Sequence, residues 1–158
     1  MNRIAVFPGT FDPFTVGHEA LVRRALNLFD KVYVAVGKNQ SKSTLFSIEQ
    51  RLEMVNVIFK DEGRVDVVAY EGLTVDFCQK MNARFLLRGL RTAADFEYER
   101  AIGQVNKAMN SNIETVFLLT APEHTPVNST IVRDILVNNG DATKFLPKGI
   151  NIKKYLNR

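Results

Sequence analysis

Pro8-Gly9-Thr10-Phe11-Asp12-Pro13-Phe14-Thr15-Val16-Gly17-His18 follows directly on an apolar run, Ile4-Ala5-Val6-Phe7, and leads into a helical pattern over residues 19–29. A strand that stops at a Gly/Pro turn and continues as a helix makes an anion site. The first N–H groups of a helix have no intrahelical acceptor, and the aligned peptide dipoles place partial positive charge there. Gly17 lets a phosphate approach the backbone closely. His18, in the first turn, adds a side-chain donor, and Thr10 offers a hydroxyl from the opposite lip. The chain therefore opens with a phosphate-handling strand–helix unit.

The same alternation runs outward from this unit. Apolar strand-like runs recur at residues 4–7, 32–36, 65–69, 85–87 and 116–119. Leu21, Val22, Ala25, Leu26 and Phe29 form one helical stripe. Leu52, Val55, Val57, Ile58 and Phe59 form another, entered through the capping box Ser47-Ile48-Glu49-Gln50. Thr74 is expected to cap a third helix over residues 75–81. Residues 92–109 make a long, rather polar fourth. Ser129 or Thr130 is expected to cap a fifth over residues 131–137, with Gly140 stopping it, and a short helix falls near residues 150–156. Strands that are apolar throughout and alternate with helices predict an α/β fold with both sheet faces covered. The expected architecture is a single domain over residues 1–158, a doubly wound, five-stranded parallel sheet. Ligands of such sheets bind beyond the carboxyl ends of the strands, at the point where strand order reverses.

Composition narrows the class. With 158 residues, 46% hydrophobic and 24% charged, the chain can bury a sizeable core and is not of the disordered type. The net charge of +4 and the pI of 9.3 suit an anionic ligand as well as an ordinary solvated surface, and leave nucleic acid open. The single cysteine, Cys78, allows no intramolecular disulfide and reads as a buried structural thiol. No signal peptide or membrane-length apolar run is visible, so a cytoplasmic enzyme or binding protein is expected.

The residues after each strand carry the chemistry. Thr10 and His18 follow the first; Gly37, Lys38, Ser41 and Lys42 the second; Glu71, Gly72, Leu73 and Thr74 the third. Arg88, Gly89, Leu90 and Arg91 follow the fourth, and residues 120–130 the fifth. Each has a plainer explanation. A histidine at a helix start is more often a cap, and a loop lysine is usually solvated. Arg91 has Asp95 within reach across a helix start, and Ser129 and Thr130 are good caps in their own right. The run Asp95-Phe96-Glu97-Tyr98-Glu99-Arg100 reads equally as a half-buried helix face. Arg88, ending an apolar strand, favours a paired or ligand-binding role. The convergence of cations and hydroxyls on strand ends outweighs any one of these residues.

Two stretches together, Thr15-Val16-Gly17-His18 and Ser129-Thr130-Ile131-Val132-Arg133, resemble the signatures of the nucleotidylyltransferase superfamily, whose fold is Rossmann-like. Pro8-Gly9-Thr10-Phe11-Asp12-Pro13, Ser41-Lys42, Arg88-Gly89-Leu90-Arg91, Asp95-Phe96-Glu97-Tyr98-Glu99 and Phe145-Leu146-Pro147 narrow the resemblance to the bacterial phosphopantetheine adenylyltransferase family, from the first strand to at least Pro147. That family transfers the adenylyl group of ATP to 4′-phosphopantetheine, giving dephospho-coenzyme A and pyrophosphate. The acceptor phosphate has a second pKa of about 6 and is its own nucleophile, so the reaction needs alignment and charge neutralisation rather than a general base.

The resemblance implies roles position by position. His18, Thr10 and Lys42 would be the catalytic set. Thr10, Lys42, Leu73, Thr74 and Arg88 would hold phosphopantetheine. Thr10, Phe11, His18, Gly89, Leu90, Arg91, Glu99, His124, Asn128, Ser129 and Thr130 would hold ATP, with Ser129 and Thr130 at the β- and γ-phosphates. Mg²⁺ would arrive with ATP and need no protein-built cage. A homohexamer and feedback by coenzyme A are implied in the same way, and no nucleic-acid or membrane partner is expected. Three positions depart from the usual pattern: Asn128 where serine is common, His124 where an aromatic often stands, and Asp134 in place of glutamate. The nearest alternatives are a relative acting on nicotinamide mononucleotide or one using CTP. A nonenzymatic nucleotide sensor or nucleic-acid-binding domain would instead show a contiguous basic surface with exposed aromatics.

Overall fold

The computed structural model describes residues 1–39 and 41–157. Five strands, β1 (Ile4–Gly9), β2 (Lys31–Gly37), β3 (Val65–Tyr70), β4 (Phe85–Leu90) and β5 (Glu114–Leu119), form one sheet in the order β3-β2-β1-β4-β5. Every pairing is parallel. The helices are α1 (Val16–Ala25), α2 (Ile48–Phe59), α3 (Thr74–Lys80), α4 (Ala93–Met109), α5 (Ser129–Val137) and α6 (Lys153–Leu156).

Side chains alternate along each strand, and here both faces are covered. Ala5 and Phe7 of β1 pack with Leu21, Val22 and Ala25 of α1 and with Val55 and Phe59 of α2. Val6, between them, packs on the other face with Val75 and Cys78 of α3. Burial on both faces is why the strands read as unbroken apolar runs. Each such Val, Leu or Phe side chain contributes about 1.5–3 kcal/mol when taken out of water. A third cluster, Phe46, Met54, Val132, Leu136, Leu146 and Tyr155, joins α2 to α5 and the C-terminal segment. Cys78 is fully buried, and that burial pushes its thiol up to about 12, so it is an inert packing group. Among the described residues no helix is long and apolar enough to cross a membrane.

Several boundaries differ from the sequence expectation, each for a local reason. α1 starts at Val16 and stops at Ala25. The stripe continues to Phe29 because a tight turn, in which Leu28 and Phe29 both donate to the Ala25 carbonyl, still carries Leu26 and Phe29 into the core. Thr74 does not cap α3 but is its first residue; Leu73 occupies the cap without a side-chain bond, and the Thr74 hydroxyl lies 3.2 Å from that of Tyr70. The cap of α5 is Asn128 rather than Ser129 or Thr130, its Oδ1 accepting from the Ile131 N–H at 2.9 Å. At the other end of α5 Asn139 takes the left-handed conformation (φ 60°), and Gly140 closes the turn by donating to the Ile135 carbonyl at 2.7 Å. β4 runs on past residue 87 to Leu90, because Arg88 and Gly89 stay paired with Phe117 and Leu118 of β5.

Candidate active site

The order β3-β2-β1-β4-β5 reverses between β1 and β4, and a crevice opens there. β1 stays paired with β2 through Gly9 and Val36, but it meets β4 only at Ala5–Phe85 and Val6–Leu86. Beyond that the two strands part. Pro8 fits this break. Its carbonyl points toward β4, where it accepts from Arg88 Nη1 at 2.9 Å, so its missing N–H falls on the edge where pairing has already ended.

Two clefts open from the strand ends. The first encloses about 300 Å³ and is lined by residues that include Thr10, Gly17, His18, Arg88, Gly89, Arg91, Asn128, Ser129 and Arg133. The second encloses about 550 Å³, between the ends of β1, β2 and β3 and helix α4. Thr10, Arg88 and Glu99 line both and stand at their junction. Two glycines fit the first cleft for want of space. A Cβ on Gly9 would sit 2.6–3.0 Å from the Phe11 ring, and one on Gly89 2.5 Å from Leu21 Cδ1.

Thr15 caps α1, and His18 completes a reciprocal box. The Thr15 N–H donates to His18 Nδ1 at 3.0 Å, and the His18 N–H donates back to Thr15 Oγ1 at 3.4 Å. Because Nδ1 accepts, the ring proton sits on Nε2, which is left to serve the cleft. Phe7, Phe11 and Phe14 surround the imidazole, with ring centroids 5.0–6.2 Å away. Phe11 is therefore a buried wall of the histidine pocket, at φ 51°. Burial, and after it the charges of Arg88 and Arg91, push the imidazole down to about 4, so His18 is a neutral donor at pH 7.

An unfolded histidine titrates near 6.5, and the folded one near 4, so on acidification the unfolded chain takes up the proton first. Stability contributed above about pH 6.5 is lost as pH falls toward 4, by on the order of 3 kcal/mol. Urea midpoints measured at pH 7 and pH 4.5 are expected to show this loss in the wild-type chain. His18→Gln keeps a capping partner for Thr15 and removes the titrating ring, so its midpoint is expected to drop less. Equal drops would refute the reading.

A second helix start faces the same cleft. With Asn128 capping α5, the Ser129 and Thr130 amides lie ahead of the first intrahelical bond, which Val132 makes to the Asn128 carbonyl. The Ser129 hydroxyl donates to the Pro13 carbonyl at 2.8 Å and ties α5 to the β1–α1 loop. Thr130 is exposed, and its Oγ1 accepts from Arg133 at 3.2 Å. His124 sits in a short turn, Pro122–His124, beside Gly17.

The cleft cations are all anchored. Arg88 makes a two-pronged pair with Glu99, at 2.8 and 2.7 Å. Arg91 is held by Asp95 at 3.2 Å, the pairing anticipated from the sequence. Arg133 donates to the Asp12 carbonyl at 2.8 Å and lies 3.9 Å from its carboxylate. Three guanidiniums thus face three carboxylates in the lining. Formal charge is balanced, and the two helix N-termini tip the cleft toward anions. Asp95 and Glu99 are one turn apart on α4, which is why the acidic run on that helix positions both arginines.

The remaining candidates are more dispersed. Thr74 lines the second cleft; Leu73, at 55% exposure, lines neither. Lys42 is exposed on the loop between β2 and α2, outside the linings of both clefts. Leu90 is buried in the strand. Sequence reasoning missed Arg133, although it stands in the quoted signature, and it missed Tyr70, Ile102 and Asn106 around the second cleft, which Lys38, read from the sequence as a strand-end residue, also lines. Asn106 left a readable sign. It is a polar residue seven positions after Glu99, on the same helix face, and these two are the buried residues of α4.

A family model described as cytidylyltransferase-like matches residues 6–135. The chain is 48% identical to the phosphopantetheine adenylyltransferase of Bacteroides thetaiotaomicron, over 95% of its own length and 99% of the relative's. The corresponding protein of Phocaeicola vulgatus is 49% identical over the same shares. That of Flavobacterium psychrophilum is 47% identical over 96% and 99%. Among solved structures, one described as a nicotinate-nucleotide adenylyltransferase from Vibrio parahaemolyticus superposes over all of both chains, with a TM-score of 0.70 at 19% identity. A bifunctional NMN adenylyltransferase/ADP ribose pyrophosphatase from Francisella tularensis reaches 0.74 at 18% identity, over the whole of this chain and 51% of the other. The structural likeness shows a shared fold. The near-half identity along almost the full length of each relative shows more: the chain belongs to the phosphopantetheine adenylyltransferase family.

Proposed function

We propose that the protein transfers the adenylyl group of Mg²⁺-bound ATP to 4′-phosphopantetheine, releasing pyrophosphate and dephospho-coenzyme A. The observation that carries the reading is the joining of two clefts at Thr10, Arg88 and Glu99, one anion-selective and the other able to hold a long polar arm. ATP occupies the first cleft. The acceptor lies in the second with its phosphate at the junction, where attack on the α-phosphorus is in line with the departing pyrophosphate. The attacking oxygen of the acceptor phosphate forms the new P–O bond as the α–β bridge breaks, and pyrophosphate leaves with the electron pair.

The chain's residues stabilise what builds up on that path. His18 donates its Nε2–H to an α-phosphate oxygen, and as a neutral group it takes no proton from the nucleophile. The α1 and α5 amides and Ser129 meet the phosphates, Arg91 the nucleotide, and Arg88 with Thr10 the acceptor phosphate. Lys42, outside both linings, is assigned to the acceptor phosphate by the family resemblance alone. The Thr74 hydroxyl and the Asn106 amide face the peptide-like arm of pantetheine. The carboxylates of the first cleft are engaged by Arg88, Arg91 and the Leu45 and Phe46 amides, so Mg²⁺ enters with the nucleotide as part of the substrate.

The homohexamer and the cytoplasmic setting are parts of the same proposal. α4 supports self-association. It turns Glu99 and Asn106 inward and leaves Tyr98, Ile102, Val105 and Met109 exposed as an apolar stripe. The test is pyrophosphate release with Mg²⁺ and ATP, comparing phosphopantetheine with nicotinamide mononucleotide as acceptor, and CTP with ATP as donor. Release that requires both ATP and phosphopantetheine is expected. Release with nicotinamide mononucleotide alone would move the enzyme to the neighbouring activity.

A further inference from the structure

Arg51 is buried to 4% exposure on α2 and lines neither cleft. Its guanidinium ties three separate segments together through their carbonyls. Nη1 donates to Thr10 at 2.6 Å and to Gly37 at 3.0 Å, and Nε donates to Phe46 at 3.2 Å. These are the residue after β1, the last residue of β2, and the end of the loop that carries Lys42. Thr10 and Gly37 stand where their strands end and ladder donors run out, and here one buried side chain serves both; the Phe46 carbonyl also accepts from the Thr44 hydroxyl at 2.8 Å.

Asp12 works from the other side of the same knot. Its carboxylate is 2% exposed and accepts from the Leu45 and Phe46 amides at 2.8 and 2.9 Å. Its own carbonyl is held by Arg133 at 2.8 Å. Between the clamped carbonyls of Thr10 and Asp12 lies Phe11, whose φ of 51° is a left-handed conformation that non-glycine residues seldom adopt. The strained residue that backs His18 is thus fixed at both neighbours.

We infer that Arg51 is a positioning residue for the transfer: it holds Thr10 at the junction of the clefts and locks Phe46, ahead of α2, to it. This rests on the adenylyl-transfer reading. Binding in the second cleft then meets a junction already set, so Arg51 contributes to the rate more than to ATP affinity.

The test compares Arg51→Lys and Arg51→Gln with Met54→Ala, which hollows the core cluster one turn further along α2. A lysine keeps the charge but cannot reach three carbonyls. For Arg51→Lys, kcat of pyrophosphate release is expected to fall about 10- to 100-fold, with KM for ATP within about threefold of wild type. Arg51→Gln, where it folds, is expected to lose more. Met54→Ala is expected to lower the melting temperature at least as much and to keep kcat within about threefold. A kcat for Arg51→Lys within threefold of wild type, or an equal loss in Met54→Ala, would overturn the inference. Amide hydrogen exchange supplies a readout independent of the acceptor. Leu45 and Phe46 are expected to exchange at least about tenfold faster in Arg51→Lys, but not in Met54→Ala. Unchanged exchange overturns the positioning role even in an active enzyme. A wild-type protein inactive with phosphopantetheine defeats the activity reading instead, and leaves the exchange comparison to decide the role of Arg51.

Discussion

Replacing His18 with alanine is expected to slow pyrophosphate release by about 100- to 1000-fold, the usual cost of removing one preorganised donor from a charge-developing centre. The geometry makes the loss specific to the chemical step. Nδ1 is committed to the Thr15 N–H, so the ring presents a single donor, Nε2–H, held between Phe7, Phe11 and Phe14. A mutation that removes an interaction made only in the transition state lowers kcat and kcat/KM together and leaves KM for ATP nearly unchanged. Alanine also strips Thr15 of its capping partner, a cost of about 1 kcal/mol. His18→Gln separates the two effects. Glutamine at this position completes a capping box, as Gln50 does for Ser47, so stability returns, while the amide cannot stand where the ring's far nitrogen stood. Steady-state kinetics of the wild type, His18→Ala and His18→Gln, with urea midpoints on the same preparations, check this. A His18→Ala enzyme with wild-type kcat would remove the histidine from the mechanism. Because the imidazole is held down to about 4, the wild-type rate should show no limb from His18 near pH 6.5. Any loss around pH 6 is then that of the acceptor phosphate becoming a monoanion, since its second pKa is about 6.

The second large effect is at Arg88. Arg88→Gln removes both bonds to Glu99 and the bond to Pro8 that spans the gap between β1 and β4. It leaves Glu99, 8% exposed, as a carboxylate without its partner. Breaking a fully buried pair costs about 3–5 kcal/mol, and since the Arg88 side chain is 30% exposed, about 2 kcal/mol is expected here. Activity is expected to fall by about 100-fold or more, because the acceptor phosphate loses its fixed cation. The double variant Arg88→Gln/Glu99→Gln distinguishes the two losses. With the orphaned charge gone it should regain most of the stability and almost none of the rate. Denaturant midpoints and kcat/KM for phosphopantetheine on both variants make the test. A double variant with wild-type activity would show Arg88 to be structural alone.

The two ends of the site were not equally legible in the sequence. The first helix start could be read as a place, because strand, turn and donor are contiguous from Ile4 to His18; that Thr15 is its cap and Val16 its first residue came from the structure. The start of α5 was legible as a place, but its cap was assigned to Ser129 or Thr130. All three neighbours, Asn128 included, have capping side chains, and only the backbone conformation selects among them. Arg88 could be foreseen as a paired residue, since a guanidinium on an apolar strand needs a partner. That the partner is Glu99 depends on how α4 crosses β4. Asn106 left only its place on the Glu99 face of α4, and Arg51 gave no sign at all. Arg51 lies in an ordinary amphipathic helix, and what distinguishes it is the convergence of three carbonyls from segments far apart in the chain.

The sequence by itself determined the α/β class, the parallel five-stranded sheet and the helix start, with its unpaired amides, that follows the first strand. Each follows from interactions within about one turn or one strand: apolar periodicity, caps, and the unpaired amides of a helix start. The tertiary structure alone decided that β1 and β4 separate after Val6 and Leu86, that Thr10, Arg88 and Glu99 share one junction, and that His18 is neutral. These depend on burial and on charges brought together across the fold. A histidine's proton affinity is set by the water and the guanidiniums around it, and those neighbours exist only once the chain has closed.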